Sequence, residues 1–91
     1  MRLFRNNAYQ SAEELQTVVE RYLRRMSTFA MWTTGTARDP DSRYAELDDP
    51  PFWCQWTAAR TEVAEAVKLN LVSRGMKLDP HDKPGPVLYV Y

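Results

Sequence analysis

The chain is poor in the residues from which reactive sites are usually built. Among its 91 residues there is one cysteine, Cys54, and one histidine, His81. A single cysteine excludes an internal disulfide framework and a multi-thiolate metal site, and one cysteine with one histidine cannot furnish a zinc site within the chain. Such usage agrees with a reducing compartment. Glycine is scarce, at three residues, and "TTGTARD" has neither the glycine spacing nor the lysine of a phosphate loop. No apolar run approaches the roughly 18 residues that span a bilayer. The stretch "MRLFRNNAYQ" lacks the apolar centre of a secretory signal. The expectation is a soluble cytoplasmic chain with no membrane association and no cofactor. Formal charge is zero, which argues against a general basic coat for nucleic acid.

What is present is a globular composition, 44% apolar and 12% aromatic, of a size that forms one domain, 1–91. Three Trp, five Tyr and three Phe supply a few large core pieces. The zero net charge is made of two opposed regions. Arginine is in excess up to Thr34, and carboxylate is in excess from Gly35 to Glu62.

Along the chain, "YQSAEELQTVVERYLRRMSTFAMWTTG" carries the strongest helical pattern. Ser11 and Glu14 form a capping box, Leu15, Val18, Val19, Tyr22, Met26, Phe29 and Ala30 recur on one face, and Gly35 is a natural stop. This predicts a helix over about 12–33. An acidic, proline-rich loop follows over about 35–50, long for a compact domain, with a helical turn near Tyr44–Leu47 to dock it. A second helix is predicted over about 51–74, with Pro51 at its first position and Gly75 at its end. Its stripe is Phe52, Trp53, Trp56, Ala59, Val63, Val67 and Leu71. Arg60 and Asn70 fall inside that stripe, and Leu69 and Val72 lie off it, so the last turns should be covered on more than one side. Strands are predicted at about 76–78 and 87–91, with "RLF" near the amino end as a third. The fold class expected is α+β: a two-helix antiparallel hairpin packed on a small two- or three-stranded antiparallel sheet formed by the chain ends.

Three constellations bear on chemistry. In "DDPPFWCQW", Cys54 with His81 and Asp79 or Asp82 supplies the residue types of a thiol nucleophile, its base and an orienting carboxylate. A helix start seated by its aromatics accounts for the same stretch without catalysis, and a lone apolar cysteine is ordinarily structural. "DPDSRYAELDDP" begins like a calcium loop, but Arg43 and Tyr44 fall where an oxygen ligand and the turn glycine belong, so no metal site is expected. Arg21, Arg24, Arg25, Thr28 and Trp32 lie along the flank of the first helix, where two-pronged guanidinium contacts and a flat indole suit a partner's carboxylates or phosphates. Either that flank meets a partner, or its arginine stems cover the core edge, or the acidic loop folds back and neutralises it.

The tail "LVSRGMKLDPHDKPGPVLYVY" resembles the wing of winged-helix repressors of the multiple-antibiotic-resistance type. The resemblance covers about twenty residues and places Asp79, Asp82 and Lys83 in the wing loop. It implies DNA binding, with Thr57, Arg60, Thr61 and Lys68 as groove readers and Glu62 and Glu65 opposing phosphate. The strand "VLYVY" would pair with another chain if it lay at an edge, and would be covered by both helices if it were central.

These readings converge on a small non-enzymatic binding module of the regulator or inhibitor type. Its expected partner is another protein, met through Arg21, Arg24, Arg25, Trp32, Arg43 and Tyr44, with a homodimer as a further expectation. The alternatives are the degenerate winged-helix DNA binder and an oligomeric binder of a small anionic or nucleotide ligand.

Overall fold

The computed structural model describes the backbone of residues 2–3 and the whole of residues 8–24, 29–48 and 50–91. Elements follow in the order β1 (Arg2–Leu3), α1 (Ala12–Leu23), a 3-10 turn (Phe29–Met31), β2 (Thr33–Ala37), α2 (Pro40–Glu46), β3 (Trp53–Thr57), α3 (Thr61–Ser73), β4 (Lys77–Leu78) and β5 (Val87–Val90). The class is α+β. The sheet has five strands in the order β1-β3-β5-β2-β4. β5 is antiparallel to both neighbours, while β1 is parallel to β3 and β4 to β2, so β5 alone runs against the other four.

α1 forms where its start was legible. The Ser11 hydroxyl accepts from the Glu14 N–H at 3.1 Å, and Glu13 and Glu14 stand in the positive first turn. Leu15 and Val19 are fully buried and Val18 and Tyr22 partly so, as the predicted stripe requires, and Leu23, which that stripe did not include, is buried with them. The helix stops at Leu23 rather than running to Thr33. Met26 lies outside the described residues. The threonine-rich Thr33–Ala37 is a strand instead, because its β-branched residues pair with Val87–Val90 in the sheet. Gly35, expected to end a helix, sits within that strand. A Cβ there would collide with the Tyr89 hydroxyl and ring, so the glycine lets the tyrosine lie over the backbone.

The predicted helix over 51–74 is two elements. Trp53–Thr57 pairs in register with both β1 and β5, and only Thr61–Ser73 is helical. Four successive residues of β3, Trp53 to Trp56, are all buried, so the strand shows no inside–outside alternation, and its aromatic spacing mimicked a helical stripe. With α3 starting at Thr61, its buried face becomes Val63, Ala64, Val67, Lys68 and Leu71. Arg60 and Asn70 turn outward to solvent, Val72 is half-buried, and Leu69 is 63% exposed rather than covered. Gly75, at φ 111°, ends the helix as predicted.

Pleating gives the sheet two distinct faces. Cys54, Trp56, Leu88 and Val90 join α1 and α3 in the main core. Tyr22 meets the edge of Trp56 at 5.9 Å between centroids, so the two helices share that core through their apolar sides. The opposite face carries Trp53 stacked on Tyr89 (4.8 Å) and on Tyr91 (5.8 Å), with Tyr44 of α2 edge-on to Trp53 at 5.3 Å. The acidic loop is therefore partly a helix, started by Asp39 as N-cap and Pro40 in the first turn, which covers this aromatic face.

Candidate functional site

The tail 79–86 is the segment that ties the two faces together. β4 and β5 lie on either side of β2 and do not pair with each other, so this segment is not the hairpin of a wing. Asp79 is buried on the aromatic side. Arg43 of α2 meets it with two parallel bonds, Nε to Oδ2 and Nη2 to Oδ1, both 2.7 Å, while the Tyr89 hydroxyl donates at 2.5 Å and the His81 N–H at 2.9 Å. Burial alone would raise the Asp79 carboxyl, but bonds from Arg43, Tyr89 and the His81 N–H outweigh it and hold it below the usual carboxylate range. Arg43 is correspondingly raised, chiefly by its bond to Asp79. Burial and the Asp79 contact both push Tyr89 up.

Asp82 anchors the other side. Lys68 of α3, only 5% exposed, donates to Asp82 Oδ2 at 2.8 Å and to Glu65 Oε2 at 2.6 Å. Burial opposes the Lys68 charge, and the bonds to Asp82 and Glu65 overcome it, leaving its pKa raised. The buried Thr36 hydroxyl lies 2.7 Å from Glu65 Oε1, 2.8 Å from the Lys83 carbonyl and 3.1 Å from Asp82 Oδ1, and its N–H donates to Asp82 Oδ1 at 2.7 Å. Lys68 is thus part of the interior, not a groove reader, and Asp79 and Asp82 are bonded inward.

The predicted contact residues are dispersed. Arg21 and Arg24 are exposed on α1, as expected of a contact flank. Arg25 and Thr28 lie outside the described residues. Trp32 is half-buried, its ring centroid 4.5 Å from that of Phe52 and its indole N–H without a partner among the described residues, and so it does not project freely as an exposed anchor. Arg43 and Tyr44 are held internally by Asp79 and Trp53. The acidic loop turns its own Arg43 to a tail carboxylate, which is a different pairing from the expected neutralisation of the first-helix arginines by loop acids. Cys54 is 1% exposed on the helix-covered face, whereas His81 is exposed beside the cleft on the aromatic side, so the thiol and imidazole are not brought together. Among the described residues, no group of three or more His, Cys, Asp or Glu could hold a metal ion.

Two surface features remain that the sequence pattern did not reveal. One is formed by the ends of α1 and α3, the 3-10 turn and β4. A hollow of about 260 Å³ is lined by Glu20, Arg24, Phe29 and Arg74, with Arg74 paired to Glu20 and its guanidinium 5.1 Å over the Phe29 ring. Next to it Met31 is 70% exposed and Leu78, on the edge strand, 48% exposed, with Lys77 also exposed. The other is a cleft of about 310 Å³ at the far end of β2, between α2 and the 79–86 segment, where Arg38, His81 and Lys83 stand at the rim. Among the described residues, no helix is long and apolar enough to cross a membrane. The class defined by this fold is an α+β domain with α1 and α3 on one sheet face and α2 on the other. No family model, curated protein or solved structure matches the chain.

Proposed function

We propose that this domain is a non-enzymatic protein-interaction module whose partner docks on the surface made by the ends of α1 and α3, the 3-10 turn and β4. The observation that carries the reading is the pair of large apolar side chains, Met31 and Leu78, left exposed beside an open sheet edge. Exposed apolar groups rimmed by polar ones mark interaction surfaces. Arg24 lines the adjoining hollow, Lys77 precedes Leu78 on β4 and Arg21 is exposed in the last turn of α1, while the one carboxylate lining that hollow, Glu20, is already paired with Arg74. A partner segment carrying apolar anchors and carboxylates complements this surface. Arg21 and Arg24 keep the role expected from sequence, while Met31 and Leu78 replace Trp32 as anchors.

The test is affinity capture by the immobilised domain, comparing wild type with Leu78→Asp and with Arg21→Glu/Arg24→Glu, alongside the native mass of each. A partner held by wild type and lost from both variants supports the reading. A partner held equally by all three overturns it. If the captured partner is a second copy, native mass reports a dimer that Leu78→Asp dissociates.

A further inference from the structure

We propose that the cleft between α2 and the 79–86 segment is a binding site for the phosphoryl group of a small molecule. It shares no residue with the interaction surface and lies at the other end of β2. The chain brings its cations together by backbone packing rather than by sequence proximity. Gly85 presses directly on the Ala37–Arg38 backbone, and a Cβ at that position would overlap the Ala37 carbonyl and the Arg38 nitrogen. This contact sets the loop against the end of β2. Lys83 is fixed there by its N–H on the Thr36 carbonyl at 3.2 Å, and His81 by its N–H on Asp79. The rim groups therefore stand on backbone that is already ordered, which lowers the conformational cost of binding.

The charges divide into engaged and free. Asp39 uses both carboxylate oxygens on Ser42, at 3.4 Å to its N–H and 2.7 Å to its hydroxyl. Glu46 lies 3.7 Å from Arg43 Nη1, and Asp79 takes the other guanidinium edge. Arg38 and Lys83 have no side-chain partner among the described residues. Two free cations from separate segments, with the His81 imidazole lining the same cleft, suit a doubly charged group with several acceptor oxygens better than a single carboxylate, for which one guanidinium suffices. The acids facing the cleft cancel the long-range field, so binding depends on direct contact. Ala37 and Pro84 line the same cleft and give the body of a phosphate monoester an apolar surface to meet.

The experiment follows backbone amide resonances of the whole domain during titration with inorganic phosphate and, separately, with adenosine monophosphate. Saturable shifts centred on Arg38, Ser42, His81 and Lys83 are expected, with Arg38→Glu and Lys83→Glu each weakening binding by about tenfold. Arg38→Gln and Lys83→Gln give a milder, same-direction loss and serve if charge reversal perturbs folding. Tighter binding of the nucleotide supports a phosphorylated metabolite, and equal binding supports free phosphate. The proposal is overturned if neither probe saturates, if the shifts spread equally to Arg21 and Arg24, or if the variants bind both probes as wild type does.

Discussion

Arg43 and Asp79, separated by 36 positions, face each other through two parallel 2.7 Å bonds, and this pair joins α2 to the tail across the aromatic face. Its carboxylate side chain is fully buried. Removing one partner leaves an uncompensated charge in the interior, so Arg43→Met and Asp79→Asn should each destabilise the domain by about 3–5 kcal/mol. Urea unfolding measures this directly. The pH dependence has a definite sign. The folded carboxyl titrates below its unfolded value of about 3.9, so its contribution is present above that value and lost as pH falls through the folded one. Asp79→Asn should flatten this acid limb, which parallel urea melts at falling pH will show.

Tyr89 contributes a hydroxyl to the same carboxylate. Tyr89→Phe keeps the ring stack on Trp53 and deletes only the donor, so a loss of about 1–3 kcal/mol is expected, smaller than that of Asp79→Asn. A double-mutant cycle of the two should be strongly non-additive, because both substitutions act on one bond.

Lys68 gives the opposite pH sign. Its folded pKa is raised, so its stabilisation is complete below the unfolded value of about 10.4 and is lost as pH rises through the folded value. Thermal melts on the alkaline side should therefore show a fall that is absent from Lys68→Met. That variant should itself cost several kcal/mol, on the order of a broken buried pair, because Glu65 and Asp82 then share the site without a cation.

The two close-packed glycines should respond differently. Gly35→Ala meets the end of a side chain, Tyr89, that is held by its stack and by Asp79, and should cost about 1–3 kcal/mol. Gly85→Ala meets backbone at Ala37–Arg38, which has less room to yield, so its cost should exceed that of Gly35→Ala. Denaturant midpoints for the two variants decide the order.

Surface substitutions should separate binding from folding. Met31→Asp and Leu78→Asp leave the core untouched and should change stability by less than about 0.5 kcal/mol. Their melting curves should overlay that of wild type even where partner capture fails.

The parts of the fold legible in sequence carry an end signal with a one-sided stripe, or a run of β-branched and aromatic residues preceded by prolines. α1 announced itself through Ser11, Glu14 and a one-sided stripe, and Gly75 closed α3 where a positive φ was needed. β5 was visible as "VLYVY", although its place in the middle of the sheet was not. β3 was hidden because both of its faces are covered, so periodicity carried no strand signal and the large aromatics fell at helical steps. β2 was hidden behind α1, whose apolar pattern runs on into the 3-10 turn; its threonines and interior glycine were the signals available. At the candidate sites, the exposure of Arg21 and Arg24 followed from helix geometry. The pairing of Arg43 with Asp79 and the placing of Arg38 and Lys83 on one cleft depend on which strands become neighbours, and no local spacing encodes that.

β5 holds β2 and β3 together, yet it is synthesised about thirty residues after β3 ends. Until it is made, β3 has only the two-residue β1 beside it and β2 only the two-residue β4, and α1 and α3 can coil before there is a continuous sheet for them to cover. The pairing of β5 is thus the long-range closure that limits folding rate, and a chain lacking Val87–Val90 would expose its greasy interior to chaperones and proteases.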